Sequence, residues 1–73
     1  MYHYTISANR GEVKFSSEDD KRFMGYETVA RASIEAYRAI VEKDLVRATV
    51  YISKDGEPLF VRTIHNDKYI LEC

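Results

Sequence analysis

The chain has 73 residues, which fits one domain over positions 1–73, and a domain of that size buries only about 60% of the surface its unfolded chain exposes. Apolar residues at 45% with charged residues at 32% exclude a disordered chain, and 11 basic against 12 acidic side chains exclude a global field that would draw in DNA or an anionic membrane. The one cysteine, Cys73, excludes an intrachain disulfide; with no apolar run near ~20 residues and no secretory pattern in Met1-Tyr2-His3-Tyr4, the chain reads as cytoplasmic, with no membrane partner.

Tyr2 to Ser7 alternates polar and apolar side chains, and Glu12 to Ser16 does so again after the turn-rich Ala8-Asn9-Arg10-Gly11. This predicts a hairpin in which Ile6 faces Val13 and Tyr4 faces Phe15, with Tyr2, Tyr4, Ile6, Val13 and Phe15 on one buried face. Ser16 followed by Asp19 carries a helix-start signal, and Gly25 interrupts it, so residues 17–25 read as a short helical turn or loop. The main helix is expected over Glu27 to Lys43, with Val29, Ala30, Ser33, Ile34, Tyr37, Ile40 and Val41 on the core stripe. Arg31 with Glu35 and Arg38 with Glu42 are the expected i,i+4 ion pairs of its solvated side.

From Val46 the period returns to two, and Asp55-Gly56 predicts a type I′ turn. That turn, taken with an unbroken ladder, sets Ile52 opposite Leu59, Val50 opposite Val61 and Tyr51 opposite Phe60. Pro58 lacks an amide donor and belongs near the turn or on an edge. After His65-Asn66-Asp67, residues Lys68 to Cys73 read as a last strand that adds Tyr69 and Leu71 to the core face. The expected fold is therefore α+β in the order ββαβββ, a mostly antiparallel five-stranded sheet with one long helix packed on one face. This order of elements is similar to that of small phage and prophage accessory proteins, including some anti-CRISPR proteins with one helix on a curled antiparallel sheet. The similarity carries no residue motif.

No constellation for chemistry stands out. His3, His65, Asp67 and Cys73 lack the paired spacing of a zinc site, Glu18-Asp19-Asp20 lacks the pattern of a calcium loop, and no glycine-rich phosphate loop is present. No catalytic residue, metal or cofactor is assigned. The expected register instead gathers Tyr51, Phe60, Ile64 and Ile70 with Arg47 and Arg62 on the second face of the sheet, the aromatic and arginine composition that dominates interfaces. Three fates for this face remain open: burial under Phe23, Met24 and Tyr26, contact with another protein or a second copy, or stacking of single-stranded nucleic acid. The reading is a small non-enzymatic protein-binding module, an inhibitor or modulator of a larger complex or a homodimer, with single-stranded nucleic-acid binding as the alternative. No small-molecule substrate is evident.

Overall fold

The computed structural model describes residues 1–69, and its elements run β1 (Tyr2–Ala8), β2 (Val13–Ser16), α1 (Val29–Glu42), β3 (Arg47–Lys54) and β4 (Glu57–His65). Among the described residues the sheet is antiparallel throughout and has four strands in the order β2-β1-β3-β4, with α1 lying against β1 and β3. The α+β class holds, and the described residues give four strands where five were expected, Lys68 and Tyr69 of the expected last strand being helical. Asp67–Tyr69 make a 3-10 turn there, because Asn66 Oδ1 accepts from the Lys68 amide and the Asn66 carbonyl accepts from the Tyr69 amide. Ile70, Leu71 and Cys73 lie outside the described residues.

The first hairpin keeps the expected faces with a different pairing. β1 continues through Ala8, so the loop takes Asn9 to Glu12 and Ile6 stands opposite Phe15 and Ala8 opposite Val13. A slip of two residues moves the partners without turning any side chain over. The loop holds Asn9, Arg10 and Gly11 all at positive φ (52°, 57° and 91°) and closes with a bond from the Glu12 amide to the Asn9 carbonyl. Ser16 and Asp19 form the anticipated reciprocal cap around the 3-10 turn Ser17–Asp19. The chain then returns along the start of β1, where Tyr2 and Tyr26 exchange backbone hydrogen bonds of 2.8 Å. Gly25 permits that approach, since its φ is +116° and a Cβ there would stand 2.6 Å from the Met1 Cβ.

Thr28 caps α1 through the Arg31 amide. At the other end Asp44, at φ 54°, lets the Leu45 amide reach the Ile40 carbonyl and the Asp44 amide reach the Val41 carbonyl, a Schellman closure. The helix does not turn the expected stripe to the sheet. Ala32, Ala36 and Ile40 are buried, with Val29 and Ala39 packed beside them, whereas Ile34 and Val41 remain 49% and 46% exposed and Tyr37 is half-buried. The helix is thus rotated by about a quarter-turn from the sequence expectation. Small side chains let the backbone settle close over Ile6, Val50 and Ile52, which fill the core beneath it. Within the helix Glu35 lies in reach of both Arg31 (3.4 Å, i,i+4) and Arg38 (3.2 Å, i,i+3), so Arg38 pairs with Glu35 and not with Glu42.

The β3–β4 turn forms as expected, with Asp55 at φ 50° and Gly56 at φ 86°, and Lys54 opposite Glu57. The unbroken ladder does not. Ser53 pairs with Pro58 and Ile52 with Phe60, leaving Leu59 as an extra residue in a β-bulge. Pro58 is tolerated opposite Ser53 at a non-hydrogen-bonded pair, and directly beyond it β4 has slipped by one residue. Val50 therefore faces Arg62 and Tyr51 faces Val61. Val61, assigned to the core by the unbroken register, is 56% exposed.

These packings separate two positions that the sequence places together in the core. Val50→Ala removes methyl groups from a fully buried site and is expected to cost about 1–3 kcal/mol, while Ile34→Ala stays within about 0.5 kcal/mol of the parent. Urea titrations of the two variants check this; equal losses at both positions would return Ile34 to the core.

Candidate functional site

The bulge decides which side chains share a surface. On the face away from α1 stand His3, Thr5 and Ser7 of β1, Lys14 and Ser16 of β2, Arg47, Thr49, Tyr51 and Ser53 of β3, and Val61, Thr63 and His65 of β4. Phe60, Arg62 and Ile64 lie on the helix side. The residues expected to form one aromatic and arginine face are therefore divided: Arg47 and Tyr51 on one side, Phe60, Arg62 and Ile64 on the other, with Ile70 outside the described residues. A one-residue slip inverts every side chain of a strand, and the bulge supplies that slip.

The face away from α1 is rich in hydroxyls, and none of its strand positions named above is an acid. At one end Ser7, Arg10, Arg47, Thr49 and Thr63 border an open concavity of about 850 Å³. At the other end the segment after β2 covers a corner: Glu18 accepts from Ser53 Oγ at 3.2 Å, and the rings of His3 and Phe23 meet edge to face at 5.7 Å. Met24 stays exposed, so this segment does not close over Tyr51. The contact of 2.8 Å between His3 Nδ1 and Ser17 Oγ has the composition of a nucleophile and its base. Its setting is structural: Ser17 is buried and its Oγ accepts from the Tyr4 amide at 3.0 Å. Among the described residues no group of three or more His, Cys, Asp or Glu side chains is arranged to hold a metal ion, and no helix is long and apolar enough to cross a membrane.

The helix side offers a different surface. Glu35 belongs to the flank of α1 near Tyr4 and Tyr26, whose phenols are held above the usual tyrosine range first by burial and then by neighbours that include Glu35. That flank faces β2 and the chain following it. By helical geometry Ser33 and Tyr37 then face toward β4, and Ala30, Ile34 and Val41 continue the apolar strip onto the outer surface. β4 projects past the helix. Phe60 and Ile64 form the floor of a shelf beside α1, and the Arg62 guanidinium sits 5.7 Å from the Phe60 ring centroid.

β4 is also an edge. Among the described residues no strand pairs with its outer side, although its nine residues make it the longest strand of the sheet. The Asn66 amide donates to the Val46 carbonyl, so by alternation Phe60, Arg62 and Ile64 bond to β3 while the backbone groups of Val61 and Thr63 point outward. Leu59, Phe60 and Val61 are exposed around those outward groups. An edge this long, with exposed apolar side chains and no lysine, is what monomeric sheet proteins ordinarily avoid, and Pro58 and the bulge at Leu59 blunt it only at its turn end.

Sequence reasoning placed Ile34, Tyr37, Val41 and Val61 in the core, with Leu59 on the same apolar face as Val61. A usable signal was the second helical stripe, Val29, Ala32, Ala36, Ala39 and Ile40, and the position of Pro58 directly after the turn. Compared with protein-family models, with curated proteins and with solved structures, the chain matches none.

The split of the surface has a thermodynamic signature. Tyr51 and Val61 stand directly opposite on one face, so a double-mutant cycle to alanine is expected to return a coupling of about 0.2–1 kcal/mol. Tyr51 and Phe60 occupy opposite faces, and their double substitution is expected to be additive within about 0.5 kcal/mol. Denaturant titration of the two cycles measures both, and coupling confined to Tyr51 with Phe60 would restore the unbroken register.

Proposed function

We propose that this protein is a non-enzymatic binding module that takes up a protein chain, another protein's or a second copy of its own, along the β4 edge and the apolar shelf beside it. The observation that carries this reading is the coincidence, on one strand, of outward-pointing backbone groups at Val61 and Thr63 with exposed Leu59, Phe60 and Val61. A strand added there gains main-chain hydrogen bonds from the edge and side-chain burial from the shelf, the two ingredients of β-augmentation. Tyr37, Ile34 and Val41 extend the apolar area, and Arg62 supplies a polar anchor at its middle.

A photo-reactive phenylalanine analogue at Val61 is expected to cross-link the bound chain, whereas the same group at Lys14, on the opposite edge strand β2, is not. Val61→Lys, which places a charge on the edge, is expected to weaken the association by about tenfold or more while leaving circular dichroism unchanged. Equal cross-linking at Lys14 and Val61, or none at Val61, would remove β4 as the binding edge.

The distribution of charge favours a second reading, single-stranded nucleic acid on the face away from the helix. The chain is near neutral as a whole, yet this face carries Lys14 and Arg47 around Tyr51, with Arg10 at the concavity. Phosphates at the basic side chains and a base on Tyr51 match how single-strand binders work. Anisotropy with a fluorescent oligonucleotide should then weaken with salt with a slope of roughly −1.4 to −2.1 for two or three phosphate contacts, and Arg47→Ala should weaken it further. Binding lost in Val61→Lys and kept in Arg47→Ala would rule this reading out.

A further inference from the structure

Taking the β4 reading as its basis, we infer that the chain added at this edge is a second copy of the protein, with β4 paired antiparallel to its own two-fold mate about Val61. The backbone restricts the choices. Since Val61 and Thr63 present their hydrogen-bonding groups outward and Phe60, Arg62 and Ile64 do not, an antiparallel mate must set odd-numbered residues against odd-numbered residues. Three registers then lie near the middle of the strand. Centring on Arg62 would oppose two guanidinium groups, which is unfavourable for directly facing like charges. Centring on Phe60 runs Pro58 and the bulge into the ladder, where Pro58 brings no amide and Leu59 is out of step.

Centring on Val61 keeps the two arginines apart and moves Pro58 to the fringe, so that the bulge residue Leu59 is met only at the two ends of the ladder. It sets Val61 against Val61 of the mate, Leu59 against Thr63, and Phe60 against Arg62, so each arginine meets an aromatic ring across the junction. This repeats between copies the contact that Arg62 already makes with Phe60 within one chain. The near-zero net charge of the chain, −1, puts no long-range repulsion between the copies. The product is a continuous eight-stranded sheet, four strands from each copy, closed by one two-fold axis, so the edge is consumed and no further growth follows.

The arrangement has a geometric consequence. Directly opposed residues share a face, so both helices fall on the same side of the joined sheet. Each helix lies over β1 and β3, which separates the two axes by four strand spacings, about 19 Å. Subtracting a helix diameter of about 10 Å leaves a trough about 9 Å wide. Its floor is Phe60 and Arg62 of both copies, and Ser33 and Tyr37 face it from the walls. The junction is short, so dissociation is expected in the micromolar range characteristic of interfaces below about 1,200 Å².

The test is made on the full chain carrying Cys73→Ser. In that background Val61→Cys is expected to oxidise to a dimer of twice the chain mass, because paired Cα atoms across such a junction stand about 5.5 Å apart, within disulfide reach. Thr63→Cys, which faces Leu59 of the mate, is expected not to. Sedimentation should show a reversible monomer–dimer equilibrium, and Val61→Lys should raise its dissociation constant by about tenfold or more. Amide exchange at Val61 and Thr63 should slow as concentration rises, while Phe60, Arg62 and Ile64 stay unchanged. A monomer at every concentration overturns the inference, as does a dimer that Val61→Lys leaves intact or that Thr63→Cys traps in preference to Val61→Cys. The cross-linker at Val61 separates this failure from that of the underlying reading: a cross-link to a different protein removes the second copy and keeps β4, and no cross-link at all removes both.

Discussion

A single helix of 14 residues must cover a four-stranded sheet, and it does so with alanines. Ala32 and Ala36 are fully buried, and their small side chains allow the helix axis to lie close above Ile6, Val50 and Ile52. Close packing of that kind gains dispersion contacts and excludes water over a narrow strip, but it leaves little lateral reach. The helix therefore seals β1 and β3. β2 is finished by its own aromatic, with Phe15 packed on the core and Lys43 lying 4.7 Å over its ring, and by the Tyr4–Tyr26 stack at 6.1 Å. Nothing comparable among the described residues reaches β4, and that asymmetry produces the exposed edge and shelf.

The hairpin of β3 and β4 shows how one residue redirects a surface. Two glycine-like conformations at Asp55 and Gly56 fix a tight turn, and the ladder begins in the register that turn demands. Directly after Pro58 the extra residue at Leu59 re-phases the strand. Had the ladder run on, Phe60 would have joined Tyr51 and left Val61 over the core. With the bulge, Phe60 and Ile64 extend the apolar helix side, and the other face keeps its hydroxyls, Lys14 and Arg47. The two candidate surfaces thus differ in chemistry because of a single insertion in register, one apolar and flanked by an open edge, the other polar and basic.

The loops that hold this frame rely on polar brackets. Asp44 terminates α1 in a left-handed conformation and receives Tyr69 Oη at 2.7 Å and Lys68 Nζ at 3.2 Å; the bond from Tyr69, then that from Lys68, holds its carboxyl below the usual carboxylate range. Asn66, 2% exposed, joins the end of β4 to Val46 through its backbone and starts the following turn through its side chain. These contacts fasten the chain ends of the helix and of β4 to one another. They leave the middle of β4, from Leu59 to Thr63, exposed.

What the sequence determined by itself was local. Alternation in Tyr2–Ser7 and Glu12–Ser16 defined the first hairpin and its faces, since a slip of two residues leaves the faces intact; the Ser16 and Asp19 cap, the helix and the Asp55-Gly56 turn followed from chemistry within a few residues of each other. Tertiary structure decided everything that required comparing distant segments. α1 carries two apolar stripes, one of alanines and one of larger side chains, and only the depth available above Ile6, Val50 and Ile52 selects the alanines. Likewise β4 has apolar residues at both parities, so its sequence accepts either phase, and the phase is set where Pro58 meets the β3 ladder. The division of Arg47 and Tyr51 from Phe60, Arg62 and Ile64 is the result, because a period-two strand has no memory of which face is which once a residue is inserted.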